Sequence, residues 1–572
     1  MGLLDWIVIG IFALALIGII VWVFTQKEET SGDYFLAGRG ASWIAIGASI
    51  FASNIGSEHL IGLAGAGASS GMAMAHWEIQ GWMILVLGWV FVPFYSRSMV
   101  TTMPEFLERR YNKESRTILS MISLISYVLT KVAVTVYAGG LVFKEVFGIE
   151  TMWGIDFFWI SAVGLVILTA IYTVIGGMKS VLYTSVLQTP ILLLGSVIIV
   201  VLGLRALGGW DEMMAIASAT PVNDYGDTMT NLIRSNRDQD FPWLGVFIGS
   251  AVIGFWYWCT DQFIVQRVLS GKNETEARRG TIFGAYLKLT PVFLFMIPGM
   301  IAFAMAQKGV VINGQVFALT NSDAAFPTLV ATLLPAGVKG LVVCGILAAL
   351  MSSLASLFNS SAMLFTIDFY KKFKPQTPEK KLVRIGQIAT VVIVLLGILW
   401  IPIMRSIGNV LYEYLQDVQS VLAPGIAAAF LLGVVSSKPT PKGGMWGMIA
   451  GFIIGVLRIG AKVLYTTQAK ADGFADVKLW AAENGVTNWF YTLFYDVNWL
   501  FFSGGMLVFS ILVIMVVSRF TQSAPLAQLE GLTFSSATAG QKATTRASWN
   551  HWDVIHTVII LGITVAFYIY FW

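Results

Sequence analysis

A cluster of polar residues interrupts a long hydrophobic stretch near the start of the chain. The segment FASNIGSEHLIG, at Phe51–Gly62, lies inside an apolar run from about Trp43 to Ala68, long enough to cross a bilayer at ~20 residues. Its centre carries Asn54, Gly56, Ser57, Glu58 and His59. Polar or irregular backbone survives in hydrocarbon only where it is buried in protein or lines a cavity. The pattern therefore predicts a broken helix whose freed carbonyls build a substrate or ion site.

Two ionisable residues lie within later hydrophobic segments. Glu78 occurs in AHWEIQGW, and Lys288 occurs in GAYLKLTPVF. A charge inside the membrane is costly, so such a residue is a functional-site hypothesis with a partner to be named. We expect Glu78 and Lys288 to be partners. They form either a structural ion pair between helices or a pair that hydrogen-bonds the hydroxyls of a polyhydroxy solute.

The seventh hydrophobic segment carries aromatic and acidic residues close together. Trp258 could be an ordinary core residue, but sugar pockets favour aromatic faces because pyranose C–H groups stack on a ring. Tyr257 beside it could close such a pocket from one side. Asp261 is interpreted, with Arg267 and Glu413, as a gating or structural ion-pair set rather than as a direct ligand.

A serine-rich stretch, AALMSSLASLFNSS, lies in the ninth hydrophobic segment. Serines in membrane helices often only pack or bond back to a carbonyl one turn earlier. Here their number favours a site: Ser352 and Ser353, together with the carbonyls expected to be free at Ala52 and Ile55 and one more from this segment, form an uncharged oxygen cage. Such a cage suits a monovalent cation, because a divalent ion would lack a compensating carboxylate.

These residues must be held by membrane helices. Of 572 residues, 56% are hydrophobic and only 12% are charged, whereas soluble domains carry about 25% charged residues. The mean hydropathy is +0.75. Cys259 and Cys344 lie inside apolar segments and are interpreted as packing thiols. The sequence predicts an all-α polytopic protein of the cell (plasma or inner) membrane. It contains no P-loop and no Cys/His cluster with metal-ligand spacing.

Hydrophobic segments predict about fourteen transmembrane spans. Their approximate positions are 5–25, 42–70, 72–97, 117–146, 153–175, 181–205, 244–266, 280–306, 336–366, 385–405, 408–434, 444–466, 498–518 and 552–572. The first span is expected to be uncleaved with its N-terminus outside, because the nearest basic residue, Lys27, follows it. Three lysine- and arginine-rich loops then fall on the cytoplasmic side.

Two connections between the spans have a recognisable character. Thr102 and Glu105 form a capping box at the start of MPEFLERRY, which predicts a short amphipathic helix on the cytoplasmic face. Residues 523–548 are rich in Ser, Thr, Ala and Gly, so they are expected to form a flexible linker to the final span.

Long motifs in the same order identify a family resemblance. They are DYFLAGR at Asp33–Arg39, ASNIGSEH at Ala52–His59, TMPEFLERRY at Thr102–Tyr111, IGGMKSV at Ile175–Val181, WYWCTDQFIVQR at Trp256–Arg267, YLKLTP at Tyr286–Pro291, LMSSLASLFNSSAMLFTIDFY at Leu350–Tyr370 and YLQDVQSVLAPGIAAAFLLG at Tyr414–Gly433. Nearly the whole chain resembles the sodium/solute symporters, in the sodium/glucose cotransporter branch that includes the sodium/myo-inositol carriers.

The resemblance implies a LeuT-like fold, with a core of two inverted repeats of five helices each and flanking helices. The core would span residues 42–434. Residues 1–41 would form the first transmembrane helix and a cytoplasmic loop, and residues 435–572 would add three transmembrane helices and the linker. Interrupted helices are expected near Asn54 and Gly254.

Site residues are also implied by the resemblance. The solute-binding residues would be Asn54, His59, Glu78, Trp258, Lys288 and Gln416. The gate residues would be Tyr257 on the inner side and Trp77 and Tyr412 on the outer side. The sodium ligands would be the carbonyls of Ala52, Ile55 and Ala349 and the hydroxyls of Ser352 and Ser353. Many members of the family carry an aspartate where this chain has Ser185, so one sodium per solute is expected.

The expected function is sodium-coupled import of a sugar (a hexose) or a cyclic polyol by alternating access, within a lipid bilayer. Alternatives are a symporter of another solute, such as myo-inositol or sialic acid, or a solute sensor or channel on the same fold. An enzyme is not expected, because no nucleophile–base pair stands out. A nucleic-acid partner is not expected either, and the sequence leaves the oligomeric state open.

Overall fold

The chain is almost entirely helical. The computed structural model describes residues 1–26, 30–56, 58–407 and 411–572, with side chains except at 128–130, 145, 400–407 and 411–415. Within these ranges the sheet structure consists of two antiparallel hairpins. They pair Thr151–Met152 with Ile155–Asp156 and Val311–Ile312 with Gln315–Val316.

The α-helices follow one another along the described chain with short connections. Those of the first half are Leu3–Thr25, Ser31–Leu36, Trp43–Asn54, Ala64–Ser70, Ala75–Glu78, Gly81–Val86, Val92–Ser98, Met103–Arg110, Lys113–Ser126, Ala133–Phe147, Phe157–Leu207, Trp210–Ser218, Trp243–Phe255, Gln262–Leu269 and Glu274–Lys288. Those of the second half are Ile297–Lys308, Ala325–Leu333, Val338–Met363, Lys371–Phe373, Glu379–Ile407, Leu411–Val435, Pro441–Ala471, Val477–Glu483, Trp489–Tyr491, Trp499–Arg519, Leu526–Leu529, Ala539–Ala547 and His551–Tyr570.

Tighter and wider helical turns complete the helices. The 3₁₀ turns are Ala37–Arg39, Gly71–Met74 and Ser322–Ala324. The π-helical turns are Glu58–Leu63, Leu87–Phe91, Tyr127–Val132, Trp256–Thr260, Val292–Met296, Leu364–Tyr370 and Thr492–Asp496. Wide turns of this kind are frequent at functional sites. Two of them, Glu58–Leu63 and Trp256–Thr260, overlap motifs that the sequence singled out.

Eleven helices among the described residues are long and apolar enough to cross a membrane. One of them, Phe157–Leu207, has 51 residues, which is far more than the ~20 needed for one crossing, and its backbone bends at Gly177. Two shorter apolar helices, Trp43–Asn54 and Ala133–Lys144, add to this set. The chain is therefore a multi-pass integral membrane protein. The total of about fourteen spans and the outside N-terminus stay predictions.

The first expected helix break is where the sequence placed it. Helix Trp43–Asn54 ends at Asn54, and Ile55 has an extended backbone with φ −79° and ψ 101°. A new helical segment begins at Glu58. The break lies against the serine-rich helix Val338–Met363, whose membrane-spanning part is 89% buried. Burial of this kind is what an irregular backbone inside a membrane requires.

The second break is not near Gly254, where we expected it. Helix Trp243–Phe255 passes through Gly254 and continues as a wide turn to Thr260, and the backbone becomes extended at Asp261, with ψ 127°. The Asp261 carboxylate accepts a hydrogen bond from the Phe263 N–H (3.2 Å) and so caps the next helix. Gly254 serves packing instead, because a Cβ there would meet the Gln80 side chain.

Residues 523–548, expected to form a flexible linker, pack across the ends of several membrane helices. The segment contains helices Leu526–Leu529 and Ala539–Ala547. Thr545 accepts a hydrogen bond from Arg97 (2.6 Å), and Ser548 donates one to Glu274 (3.1 Å). Composition alone missed these contacts, because hydroxyl groups that favour solvent in a linker also bond to charged side chains on a protein surface. The domain boundaries stay predictions.

The bend at Gly177 yields a stability prediction. Gly177 has φ +45°, and a Cβ there would meet the Tyr34 carbonyl oxygen and lie 2.8 Å from the Tyr34 ring. We expect Gly177→Ala to lower the melting temperature, since a strained backbone of this kind costs ~1–3 kcal/mol before any clash. Gly164→Ala, in the same helix with no neighbour within 4 Å, is the control and should not lower it. Equal melting temperatures of the two variants in detergent would contradict this explanation.

Candidate functional site

A cavity lies at the two helix breaks. Its lining residues are Asn54, Glu58, His59, Trp77, Glu78, Gln80, Lys131, Val134, Thr135, Ile253, Gly254, Tyr257, Trp258, Phe263, Lys288, Ser353, Leu357, Gln416 and Gln419. All six residues expected to bind solute are among them, as are the two expected gate residues Tyr257 and Trp77. The third expected gate residue, Tyr412, lies outside the residues whose side chains are described.

A buried group of charges forms one wall of the cavity. The Lys288 Nζ lies 2.6 Å from the Glu78 Oε2, so the predicted partnership of these residues is confirmed. The His59 Nε2 is 3.2 Å from the same oxygen. Lys288 also donates to the Asn54 side-chain oxygen (3.1 Å). Because both charges are buried, each depends on the other to offset the cost of leaving water.

Asn54 connects the two broken helices. Its side-chain nitrogen donates to the Tyr257 hydroxyl (3.1 Å), while its side-chain oxygen accepts from Lys288. Tyr257 packs edge-on against Trp258 with ring centres 4.9 Å apart, and the Lys288 ammonium lies 5.3 Å from the centre of the Trp258 ring. One amide therefore contacts a tyrosine on one side of the cavity and the charged wall on the other.

The structure pairs Asp261 with a residue outside the expected set of Asp261, Arg267 and Glu413. The Lys131 Nζ lies 2.6 Å from an Asp261 carboxylate oxygen, and the Tyr127 hydroxyl donates to the other oxygen. The Arg267 guanidinium is fully buried and has no hydrogen-bond partner among the described residues. The Glu413 side chain lies outside those described. The lysine that forms the pair with Asp261 comes from the wide turn Tyr127–Val132, in a different part of the chain.

Lys131 is the main cavity residue that the sequence reasoning missed. Its ammonium lies 4.7 Å from the centre of the Tyr257 ring, within the range of a cation–π contact. A lysine inside the apolar stretch VLTKVAV is a signal that could have found it. Two glutamines, Gln80 and Gln419, also line the cavity, and the Gln80 amide donates to the Ser250 carbonyl (2.9 Å).

The residues expected to hold a cation are buried together beside the first break. Ala52, Ile55, Ala349, Ser352 and Ser353 are each no more than 1% exposed. No hydrogen bond formed by the described residues uses the carbonyl oxygen of Ala52 or of Ile55. Uncharged carbonyl and hydroxyl oxygens are donors that suit a hard monovalent ion, so the residues present fit sodium.

Short contacts tie the broken helix to its neighbours at this place. The hydroxyls of Ser53 and Ser356 are 2.7 Å apart, and a Cβ on Gly56 would lie 3.0 Å from the Ser353 hydroxyl. The Ser185 hydroxyl donates to the Val181 carbonyl (2.6 Å) and lies 3.3 Å from that of Ser352. Ser185 therefore places a hydroxyl group next to an expected cation ligand, Ser352.

Trp77, another lining residue of the cavity, packs against a second tryptophan. Trp77 stacks on Trp499 with ring centres 5.6 Å apart, and it is 4% exposed. Its indole N–H makes no hydrogen bond with any described residue. The Gln416 side-chain oxygen is likewise buried without a partner in the described part of the chain. Both groups are available to a polar molecule in the cavity.

A comparison with family models decides the relationship that the motifs indicated. The model described as "SSF: Sodium:solute symporter family" matches residues 34–451. The chain belongs to this family. It is accordingly a membrane transporter that uses sodium as its coupling ion.

Individual relatives agree with this assignment. The symporter is 36% identical to sodium/glucose cotransporter 1 of Oryctolagus cuniculus over 561 residues, which cover 93% of this chain and 81% of the relative. It is 36% identical to sodium/myo-inositol cotransporter 2 of Homo sapiens over 481 residues, which cover 81% of this chain and 70% of the relative.

A solved structure supports the fold. The structure of a Na⁺-coupled sialic acid symporter, substrate-bound and outward-open, superimposes with a TM-score of 0.70 at 20% identity, and covers 92% of this symporter and 99% of that chain. The predicted fold class, an all-α membrane protein with a LeuT-like core and flanking helices, is thus confirmed.

The buried charges of this symporter yield a double-variant test. Glu78→Ala leaves Lys288 without its carboxylate, so we expect a large loss of thermal stability, ~3–5 kcal/mol. The double variant Glu78→Ala/Lys288→Met removes both charges and should recover part of that loss. Gln416→Ala is the control, because its oxygen has no partner to lose. Thermal unfolding in detergent measures all three; a double variant no more stable than Glu78→Ala would contradict the pairing.

Proposed function

We propose that this symporter imports a neutral polyhydroxy solute, a hexose or a cyclic polyol, by sodium-coupled alternating access. The observation that carries the proposal is the cavity at the helix breaks, which combines an aromatic face, Trp258, with a polar wall formed by Glu78, Lys288 and Asn54. Sugar rings need both surfaces, since their C–H faces stack and their edge hydroxyls hydrogen-bond.

The balance of charge favours a neutral solute. Lys288 lies 2.6 Å from Glu78, and Lys131 lies 2.6 Å from Asp261, so each cavity lysine already has a carboxylate. A solute with its own carboxylate would have to displace one of these buried pairs, at a cost of several kcal/mol. The relatives named as glucose and myo-inositol cotransporters support this choice over a sialic acid carrier.

The coupling step follows from the neighbouring sites. Sodium bound by the carbonyls of Ala52, Ile55 and Ala349 and the hydroxyls of Ser352 and Ser353 would hold the broken helix against the serine-rich helix. Ser353 lines the solute cavity as well, so ion binding and cavity shape share a residue. One sodium moving down ~100 mV and a tenfold gradient releases about 3.7 kcal/mol, enough for roughly 500-fold accumulation.

Gating would use the aromatic residues at the two ends of the cavity. Tyr257, bonded to Asn54, would be the inner gate, and it must leave Asn54 before solute can pass inward. Trp77 on Trp499 would be part of the outer gate. Tyr412 is proposed as its second member on the resemblance alone.

Uptake into proteoliposomes tests the proposal. A panel of labelled hexoses, myo-inositol and sialic acid is offered with an inward sodium gradient, with a potassium gradient, and with sodium equal on both sides. We expect one neutral member of the panel to accumulate above its equilibrium level only with the sodium gradient. Downhill flux that does not depend on sodium would favour a channel, and binding without flux would favour a sensor. Accumulation of sialic acid alone would contradict the proposal that the solute is neutral.

The proposed sodium ligands yield a substitution prediction. Ser352→Ala and Ser353→Ala each remove one hydroxyl ligand, so each should raise the sodium concentration for half-maximal uptake, by roughly tenfold for ~1.4 kcal/mol of lost binding. Ser361→Ala is the matched control, a buried serine of the same helix whose hydroxyl has no partner among the described residues. Unchanged sodium dependence in both site variants, with protein amounts equal, would remove these serines from the site.

The residue at position 185, a serine, leads to a prediction of the number of sodium ions transported per solute. A second sodium at this position would be offset only by hydroxyl and carbonyl dipoles, and desolvating an ion without a counter-charge costs several kcal/mol. We therefore expect one sodium per solute, measured as the reversal potential in liposomes while the sodium and solute gradients are varied independently. Ser185→Asp supplies the missing charge and should raise the ratio or the sodium affinity. A ratio of two in the unmodified chain would refute the prediction.

A further inference from the structure

An apolar groove lies on the outer surface, away from the transport cavity. It is lined by Leu124, Phe365, Phe369, Tyr370, Phe373 and Lys374. One wall belongs to helix Lys113–Ser126, and the other belongs to the wide turn Leu364–Tyr370 and the short helix that follows it. Phe365 is 43% exposed and Phe373 is 78% exposed, so large rings stand uncovered by protein.

The surroundings of the groove indicate that it opens to lipid. Met121 and Ile125, on the helix that forms one wall, are 49% and 48% exposed. The opposite wall is the end of a membrane-spanning helix, Val338–Phe373. Large apolar side chains exposed on a membrane helix contact the hydrocarbon of the bilayer. A groove among them can hold a single acyl chain along its length.

Several lysines lie on the segments that form the walls of the groove. Lys372 donates to the Thr117 hydroxyl (2.6 Å) and to the Lys113 carbonyl (3.4 Å), both of which are uncharged groups. Lys371 lies 3.3 Å from Glu379, and Lys374 itself lines the groove. Along the segment 371–381, the five lysines Lys371, Lys372, Lys374, Lys380 and Lys381 outnumber the single acidic residue Glu379.

We propose that this groove binds an anionic phospholipid. One acyl chain lies along Leu124 and the three phenylalanines, and the headgroup phosphate binds Lys372 and Lys374. The charge complementarity selects the occupant, because basic clusters at the membrane surface attract anionic lipids, whereas a zwitterionic headgroup would bring a second cation to the lysines. The site is separate from the transport cavity and does not rest on the identity of the solute.

The lipid would join two helices that the protein already links nearby. Arg116, on the helix that carries Leu124, lies 2.7 Å from Asp368 in the wide turn of the opposite wall. The Thr102 hydroxyl also donates to Asp368 (2.9 Å). A chain seated in the groove covers the apolar side of the same junction, so its binding stabilises the folded state by the mass action of any ligand that prefers that state.

The full-length protein in detergent tests the lipid proposal by thermal shift and native mass spectrometry. Added phosphatidylglycerol should raise the melting temperature by a few degrees and remain bound, whereas phosphatidylcholine with the same acyl chains should do neither. Lys372→Gln/Lys374→Gln should abolish most of the shift. Lys272→Gln/Lys542→Gln, which removes two exposed lysines outside the groove lining, should keep it. Water-soluble glycerol phosphate should give no shift, because it has no chain for the groove.

A second pair of variants tests the groove itself. Leu124→Trp fills the groove and should lower the amount of retained phosphatidylglycerol while the lysines are intact. Ile125→Trp, at an exposed neighbour that does not line it, is the control. Equal shifts with both lipids, or a full phosphatidylglycerol shift in the Lys372/Lys374 variant, would overturn the proposal. If Leu124→Trp fails to fold, the exposed lysine variants still decide the outcome.

Discussion

Everything in this symporter depends on how two interrupted backbones are satisfied inside a membrane. An unpaired carbonyl or N–H in hydrocarbon costs several kcal/mol, so the breaks at Ile55 and at Asp261 exist only because other helices cover them. At Asp261 the side chain itself caps the next helix. At Ile55 the broken helix lies against Val338–Met363, and a Cβ on the next residue, Gly56, would lie 3.0 Å from the Ser353 hydroxyl. Backbone groups left over by folding are thus available as ligands for an ion.

The second organising interaction is the pairing of charge across helices. Glu78 with Lys288, and Asp261 with Lys131, pair each lysine that lines the cavity with a buried carboxylate. Buried pairs of this kind contribute little net stability, yet removing one member is costly, which makes the arrangement a determinant of specificity more than of strength. The paired groups can therefore offer hydrogen bonds to a solute without leaving an unpaired charge inside the membrane.

The sequence was informative where membrane physics is strict. Glu78, Lys288 and the run Asn54–His59 could be identified because polar groups in hydrocarbon are rare and must converge. The break near Gly254 was misplaced, since a glycine in a membrane helix serves close packing as readily as a bend. Lys131 was missed as the partner of Asp261 because one sequence does not contain the relative rotation of two helices. The packing of residues 523–548 was missed because the same hydroxyl groups can bond either to water or to charged side chains such as Arg97 and Glu274.

Asn54 has a thermodynamic consequence. Its backbone ends the helix that carries Ala52, one of the proposed sodium ligands, and its side chain touches both Tyr257 and Lys288. At the proposed sites, ion and solute would both act on Asn54, and linkage then requires that each change the equilibrium affinity for the other by an identical factor. A solute that bound without touching the network around Asn54 would be held, but it would draw no free energy from the ion gradient.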